Sequence, residues 1–190
     1  MDDADVRFRT ERLVVVRRWR PEDRDAYARI NADPEVMAFL GPPMTRQQSD
    51  ALARYGESWV VQAGLGLLPA VRAADGEVLG MCGLHRHRWY PAEVEIGWRF
   101  ARNAWGHGYA SEAAEGWLAE AFGASGLSHV ISIIHGANLR SRAVATRLGM
   151  TQREETRRTG PDGHDEPIVV FELTAATWAA RATDVSGRIR

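Results

Sequence analysis

The stretch "RNAWGHGYASEAAEGWLAEAFGASG", Arg102 to Gly126, joins a glycine-rich loop directly to a helix. Apolar residues recur at helical spacing after Ala110, namely Ala113, Ala114, Trp117, Leu118, Ala121 and Phe122. Two glycines, Gly106 and Gly108, flank His107 just before this helix. Because the first turn of a helix offers unpaired N–H groups and the positive end of a dipole, the loop predicts an anion site that suits a diphosphate.

A nicotinamide-dinucleotide loop is the main alternative for a glycine-rich turn before a helix. Its motif, Gly-x-Gly-x-x-Gly, needs glycine where Ser111 stands, and it follows an early strand, whereas this loop begins only at Arg102. We therefore expect the diphosphate of a cofactor other than NAD.

The composition excludes several classes of protein. The chain has 24 basic and 25 acidic residues and no long basic run, so no nucleic-acid partner is expected. It contains no lysine, which excludes a Schiff-base enzyme and a P-loop nucleotidase. The single cysteine, Cys82, excludes an internal disulfide, and its apolar neighbours indicate a core residue. No apolar run is long enough for a membrane span and the start "MDDAD" does not resemble a signal peptide, so we expect a cytoplasmic protein with no membrane partner.

Periodicity and turn signals predict one domain of the α/β or α+β class. The expected order is a strand, two helices, three strands, a helix, a strand, a helix and two strands. The predicted elements are residues 12–19 (strand), 21–33 and 45–63 (helices), two strands around Asp75-Gly76, 92–101 (strand), the quoted helix, 129–136 (strand), 138–149 (helix), and 151–159 and 167–174 (strands). The domain should occupy residues 1–180, followed by a frayed tail over 181–190.

The segment Trp105-Gly106-His107-Gly108-Tyr109-Ala110 resembles the motif of the GNAT superfamily of acyl-CoA N-acyltransferases, Gln/Arg-x-x-Gly-x-Gly/Ala, with Trp105 replacing the Gln or Arg. A tryptophan there is similar to the branch of ribosomal-protein N-terminal alanine acetyltransferases (RimJ/RimL-like), as are the stretches "EVEIGWRF", "ANLRSRAVATRLGM" and "VVFELT". The resemblance covers roughly residues 8–178. It implies a mixed, mostly antiparallel central sheet flanked by about four helices, with two neighbouring strands splayed at the acetyl-CoA site.

The resemblance also implies acetyl-CoA as the cosubstrate, with no metal. The cofactor would lie between the strands "EVEIGWRF" and "HVISIIHG", with its pantetheine along the first strand and its pyrophosphate on the N–H groups of residues 106–111. The implied cofactor-binding residues are Trp98, Phe100, Trp105, Gly106, His107, Gly108, Tyr109, Ala110, Ser111 and Asn138.

The implied reaction is direct attack of a primary amine on the thioester. Glu95 is the expected general base, directly or through water; Glu93 is the alternative, and both could instead be ordinary polar-face residues. Many relatives place a proton-donating tyrosine seven residues after the motif asparagine, but that position is Ala145 here. Ser141 is the expected substitute near the leaving thiolate, with local capping behind Asn138 as its alternative role.

The acceptor is less well defined by the sequence. A protein or peptide N-terminus is the first expectation, a small-molecule amine the second, and a non-catalytic acyl-CoA-binding module the rival from another class. The acceptor should contact residues 21–62, whose acidic side chains suggest a mild preference for cations. His85 and His87 alternate on a strand without a third ligand at suitable spacing, which favours a surface or substrate-groove position over a metal site. A homodimer is common for such folds and is one option for the assembly.

Overall fold

A sheet of eight strands forms the centre of the protein. The computed structural model describes residues 3–160, 163 and 165–187. The strands are β1 (Val6–Arg9), β2 (Leu13–Val16), β3 (Gly66–Arg72), β4 (Val78–His87), β5 (Tyr90–Phe100), β6 (His129–His135), β7 (Thr151–Thr159) and β8 (Asp165–Thr174). They lie in the order β1-β2-β3-β4-β5-β6-β8-β7. Every neighbouring pair is antiparallel except β5 and β6, so the predicted mixed sheet is confirmed.

Helices pack on the sheet and connect its strands. They are α1 (Pro21–Ala32), α2 (Pro34–Met37), α3 (Arg46–Ala63), α4 (Tyr109–Phe122), α5 (Leu139–Arg147) and α6 (Ala175–Gly187). Short 3-10 turns cover Asp3–Asp5 and Arg102–Ala104. No helix in the described part of the chain is both long and apolar enough to cross a membrane.

Three of these elements differ from the expected order. The edge strand β1 is short and charged, so it carries little hydrophobic pattern. The Asp33-Pro34 pair was expected only to break the chain, yet it starts α2, because the Asp33 side chain accepts a hydrogen bond from the N–H of Glu35 at 2.9 Å and proline suits a first helical position. The helix α6 continues through residues 181–187, which were assigned to the frayed tail, while 188–190 lie outside the described residues. Within it Trp178 packs against Phe122 of α4, a contact that the local sequence does not reveal.

The main core lies between α4 and the sheet. The predicted apolar stripe of α4 is buried there, with Trp117 and Leu118 fully inaccessible. Gly116 faces β1, and a Cβ at this position would lie 2.3 Å from Cε2 of Phe8. The Phe8 ring instead meets Trp117 edge-on at a centroid distance of 5.7 Å. This packing holds the second half of α4 against β1.

Candidate active site

The strands β5 and β6 separate beyond a single paired position. Their register contains only the pair Glu95 and Ile131 among the described residues, and from there the two parallel strands diverge towards their carboxyl ends. The predicted splay is therefore present. Two cavities adjoin this gap, one of about 570 Å³ beside the loop before α4 and one of about 410 Å³ beneath α3. We call them the loop cavity and the strand cavity.

The two cavities share part of their walls. The side chains that line both are Phe39, Leu40, Trp98, Arg99, Asn138 and Ser141. A molecule extending from the loop cavity past Trp98 would therefore meet a molecule bound in the strand cavity. The two cavities therefore lie end to end at the gap between the strands.

The loop cavity is lined by every residue predicted to bind the cofactor. They are Trp98, Phe100, Trp105, Gly106, His107, Gly108, Tyr109, Ala110, Ser111 and Asn138. Their roles toward a ligand stay predictions, but the structure does bring them together.

The loop has the backbone conformation that its glycines predict. Gly106 and Gly108 have φ angles of +80° and +82°, in the left-handed region that favours glycine. Gly108 is the N-cap of α4 and provides no side-chain cap, so the first N–H groups of the helix remain available to an anion. Arg12, the residue just before β2, supports the loop, because its Nη1 donates to the carbonyl of His107 at 2.9 Å. Sequence reasoning missed Arg12, and no local signal marks it.

The indole N–H of Trp105 is not available to a phosphate, because it is bound within the protein. Its indole Nε1 donates to the carbonyl oxygen of Phe100 at 2.9 Å. The guanidinium of Arg140 lies over the Trp105 ring, with Cζ 3.9 Å from the ring centroid. The tryptophan that replaces the polar residue of the motif thus positions a cation on the wall of the same cavity.

A second arginine of α5 also reaches the loop cavity. Arg147 lines the wall, and its Nη1 donates to Oγ of Ser111 at 3.0 Å. Arg140 and Arg147 are seven residues apart, two helical turns, so they lie on one face of α5. That spacing is a signal by which the sequence could have revealed both cations. Together they give the cavity the positive charge that a phosphate-bearing ligand needs.

The start of α5 carries the predicted cap. Oδ1 of Asn138 accepts a hydrogen bond from the backbone N–H of Ser141 at 3.1 Å, and Gly149 follows the helix with a φ of +79°. The capping group is thus the amide of Ser141 and not its hydroxyl. In the described part of the chain Oγ of Ser141 forms no hydrogen bond, and Ser141 lines both cavities. Simple capping does not account for this hydroxyl.

Glu95 lies in the gap between the strands and lines the strand cavity. It is 6% exposed. Its Oε1 accepts the N–H of Ile133 at 3.2 Å, and Oε2 lies 3.2 Å from Nε2 of His85. Oε2 accepts no hydrogen bond from the described residues. Its short distance to His85 is therefore an electrostatic contact and not a hydrogen bond. A buried carboxylate with one free oxygen is suited to accept a proton.

His85 and His87 both lie on the wall of the strand cavity, as a substrate groove predicts. Burial lowers the pKa of His87, which keeps its ring neutral near pH 7. Its Nδ1 accepts the N–H of Trp89 at 3.2 Å. The aromatic rings of Tyr55 and Trp89 complete this side of the cavity.

Glu93 does not share the position of Glu95. Its carboxylate accepts hydrogen bonds from Arg153 at 2.6 and 3.1 Å, and Nε2 of His129 lies 3.1 Å away. The Arg153 guanidinium holds the pKa of Glu93 below its usual range. The walls of the two cavities do not include Glu93. Glu93, the alternative base, is thus engaged by an arginine sixty residues later in the chain and lies on neither cavity wall.

The acidic side chains expected to attract cations near the acceptor are already paired. Asp23 forms a two-pronged pair with Arg20, with both contacts at 2.8 Å. The other pairs are Asp25 with Arg46, and Asp33 and Glu35 with Arg102. The predicted preference of residues 21–62 for cations is therefore neutralised.

A residue cluster with metal-like spacing lies outside the cavities. Glu93, His129 and Glu172 present ligand atoms within 4.8 Å of one another. Arg153 bonds Glu93 and approaches Glu172 at 3.5 Å. A guanidinium already compensates these carboxylates, so the cluster is an ion-pair network.

Cys82 is fully buried on β4, as predicted for a core residue. Burial raises the pKa of its thiol, which makes a thiolate nucleophile unfavourable there.

The structure thus combines a mixed sheet with two diverging parallel strands and two adjoining cavities, one of them lined by arginines and by the first turn of a helix. Residues 13–151 match the model of the acetyltransferase (GNAT) domain family. The chain belongs to this family and is an acetyl-CoA-dependent N-acetyltransferase.

The chain is also similar to individual proteins and to a solved structure. The chain is 30% identical over 155 residues to the uncharacterized protein YkkB of Bacillus subtilis, covering 80% of this chain and 87% of that protein. It is 28% identical over 172 residues to the FsC-acetyl coenzyme A-N(2)-transacetylase of Aspergillus fumigatus, covering 83% and 72%. A solved acetyltransferase from Agrobacterium tumefaciens superposes with a TM-score of 0.75 at 28% identity, covering 87% and 92%.

Proposed function

We propose that the protein transfers the acetyl group of acetyl-CoA directly to a primary amine, in a complex that holds both substrates at once. The observation that carries this proposal is the shared wall between the loop cavity and the strand cavity, where Trp98 and Ser141 line both. A thioester reaching this wall from the loop cavity meets an amine bound beside Glu95. Holding both reactants at this contact provides much of the rate enhancement.

In this proposal the loop cavity holds the cofactor. The pyrophosphate lies on the N–H groups of residues 106–111 at the start of α4, and Arg140 and Arg147 contribute positive charge. The pantetheine follows β5 near Trp98 and Phe100, where β6 has diverged and leaves backbone groups of the strand unpaired. The side chain of Asn138, besides capping α5, is close enough to the wall to contact the pantetheine.

The proton transfers follow from the polar groups at the wall. Glu95 takes a proton from the bound ammonium before attack, or from the neutral amine as its nitrogen forms the new C–N bond, directly or through water. The tetrahedral intermediate then expels the CoA thiolate as the C–S bond breaks. The free hydroxyl of Ser141 donates a hydrogen bond to the departing sulfur, which leaves as a thiol after it takes a proton from solvent. No metal takes part in this sequence of steps.

The acceptor that we propose first is a protein or peptide N-terminus, in line with the RimJ/RimL-like resemblance. An α-amine has a reference pKa of about 7.7–8, against about 10.4 for lysine, so a larger fraction is unprotonated at neutral pH. A small-molecule amine is the second candidate, because one relative is named as a transacetylase acting on FsC at N(2). Cytoplasmic localisation and a homodimer stay predictions from the sequence.

The test has two stages. Calorimetric titration with acetyl-CoA, using NAD as the control, should give micromolar binding for the first and none for the second. Thiol release from acetyl-CoA is then measured with peptides that have free or blocked N-termini and with small amines. Binding without thiol release for any amine would favour the non-catalytic acyl-CoA-binding module, and no binding would overturn the assignment of the loop.

A further inference from the structure

Arg99 is a cation on the wall of the strand cavity for which the proposed chemistry has no use. It lies on β5 four residues after Glu95, on the same face of the strand. It also lines the loop cavity, so Arg99 belongs to the wall that the two cavities share.

Neutral groups hold this guanidinium in place. Nη1 donates to Oδ1 of Asn31 at 2.6 Å and lies 4.0 Å from the sulfur of Met44. Asn31 is itself fully buried, and its Nδ2 donates to Oγ of Ser49 at 2.8 Å. The side chain of Arg99 is therefore fixed in position, but its charge is not neutralised by these contacts.

The rest of the guanidinium has no counter-ion. Nε is buried without an acceptor, and Nη2 forms no hydrogen bond in the part of the chain that the structure describes. Arg24 also has an unpartnered Nε, but its Nη2 pairs with Glu57 at 3.1 Å. Arg99 is half-buried, and a guanidinium there can form charge-assisted hydrogen bonds with an anion, so Arg99 is placed to receive one from a ligand.

Carboxylates on the cavity walls do not fill this role. Glu95 is directed to Ile133 and His85, and Glu35 is paired with Arg102. Glu166 also lines the strand cavity but forms no ion pair with Arg99 among the described residues. In α1, Asp23 and Asp25 are paired with Arg20 and Arg46, as described above, and Glu22 lies 3.7 Å from Arg20.

We infer that the acceptor amine also carries an anionic group, a carboxylate or a phosphate, which Arg99 binds while the amine lies beside Glu95. This inference rests on the proposed function. The Cα atoms of Glu95 and Arg99 are roughly 13 Å apart along an extended strand, so the amine and the anion are separated by several bonds. Between them lies Gly97, where an added Cβ would have its nearest neighbours only at 3.9 Å, so the acceptor has room above the strand. Short peptides with a free carboxylate, ω-amino acids and phosphorylated amines fit this description.

The experiment compares matched acceptors that differ only in the anion. The carboxylate set is β-alanine, 4-aminobutanoate, 5-aminopentanoate and glycylglycine, each against its amide. The phosphate set is O-phosphoethanolamine against ethanolamine. Thiol release should give kcat/KM values about 10- to 100-fold higher for the anionic members, the range of a charge-assisted hydrogen bond. A larger ratio in the carboxylate set identifies a carboxylate site, and a larger ratio in the phosphate set identifies a phosphate site.

Variants then assign the preference to Arg99. Arg99→Gln should abolish the ratio between anionic and neutral acceptors without changing KM for acetyl-CoA, and Arg99→Lys, which keeps the charge, should retain part of it. Arg88→Gln is the matched control, because Arg88 lines the same cavity but its Nη2 donates to the carbonyl of Thr159. The control should keep the ratio. Thermal denaturation checks that each variant folds. If Arg99→Gln does not fold, Arg99→Lys is the test: a reduced ratio between anionic and neutral acceptors supports the inference, and an unchanged ratio contradicts it.

Several outcomes would overturn the inference. Equal rates for anionic and neutral acceptors would do so while leaving the acetyltransferase proposal intact. A ratio that survives in Arg99→Gln, or is lost in Arg88→Gln, would place the anion elsewhere. A raised KM for acetyl-CoA in Arg99→Gln would assign the guanidinium to the cofactor. If no amine released thiol although acetyl-CoA binds, the proposed function itself would fail, and the inference with it.

Discussion

The Oε1 atom of Glu95 accepts the backbone N–H of Ile133 at 3.2 Å, across the gap where β5 and β6 begin to diverge. An N–H at the splayed edge of β6 is thus satisfied by a side chain and not by the neighbouring strand. Glu95 is 6% exposed, and its second oxygen is buried without a hydrogen-bond partner, 3.2 Å from Nε2 of His85. One residue therefore helps to stabilise the open gap and presents a proton acceptor to it.

Replacing Glu95 with glutamine should stop the proton transfer but keep the gap. Glutamine can still accept the Ile133 N–H through its amide oxygen, so the fold and the acetyl-CoA affinity should be preserved. We expect kcat to fall by about 10²- to 10⁴-fold, the range for loss of a general base. Steady-state kinetics over a range of pH measures this loss. Glu93→Gln is the matched control and should retain most of the activity, because Glu93 is bound by Arg153. Wild-type kcat in Glu95→Gln would remove Glu95 from the mechanism.

Ser141→Ala should separate the hydroxyl from the cap of α5. Because the cap uses the Ser141 amide, the variant should unfold at the temperature of the wild type. Loss of a hydrogen bond to a thiolate predicts a fall in kcat of about 10- to 100-fold, with a smaller change in KM for acetyl-CoA. Asn138→Ala provides the contrast, since it removes the cap and should cost roughly 1 kcal/mol of stability. If Ser141→Ala changes only KM, the hydroxyl has a binding role and no part in thiolate departure.

Local patterns predicted the parts of the site that neighbouring residues form. The left-handed glycines at 106 and 108, the start of α4 and the Asn138 cap each depend on a few consecutive positions. The assignment of β5 and β6 as neighbours also follows from local pattern plus the family resemblance. The loop cavity was therefore largely predictable.

Contacts between distant residues were not predictable from one sequence. Arg140 of α5 stacks on Trp105, which precedes α4. Arg12, near the start of the chain, supports the same loop. Glu93 and Glu95 are the same residue type at alternating positions of one strand. Only the position of Arg153, which binds Glu93, distinguishes their surroundings. Such pairings depend on which side chains the fold brings together, and alternation along a strand does not encode that.

The Glu93–Arg153 pair should make stability depend on pH. Arg153 lowers the pKa of folded Glu93 below that of the unfolded chain, so the pair stabilises the fold at pH values above the ordinary carboxyl pKa. This stabilisation disappears as the pH falls through the depressed folded pKa. Arg153→Gln should lower Tm by about 2–4 °C at pH 7, about 1 kcal/mol for a chain of this size, and by progressively less below pH 4. Thermal denaturation by circular dichroism at several pH values tests this. A difference in Tm that does not change with pH would show that Arg153 acts through packing and not through its charge.

Gly108→Trp should prevent cofactor binding without preventing folding. Gly108 has a φ of +82°, so any side chain there adds strain of about 1–2 kcal/mol. A Cβ there would lie 3.5 Å from Nη2 of Arg12, and a bulky indole on this loop should block the approach of a phosphate. Gly126→Trp is the matched control, because Gly126 has a φ of +60° with open space around its Cβ direction and lies on neither cavity wall. Both variants should lose similar thermal stability, but only Gly108→Trp should lose acetyl-CoA binding in a calorimetric titration. If Gly108→Trp folds and binds acetyl-CoA as the wild type does, the pyrophosphate does not lie on this loop.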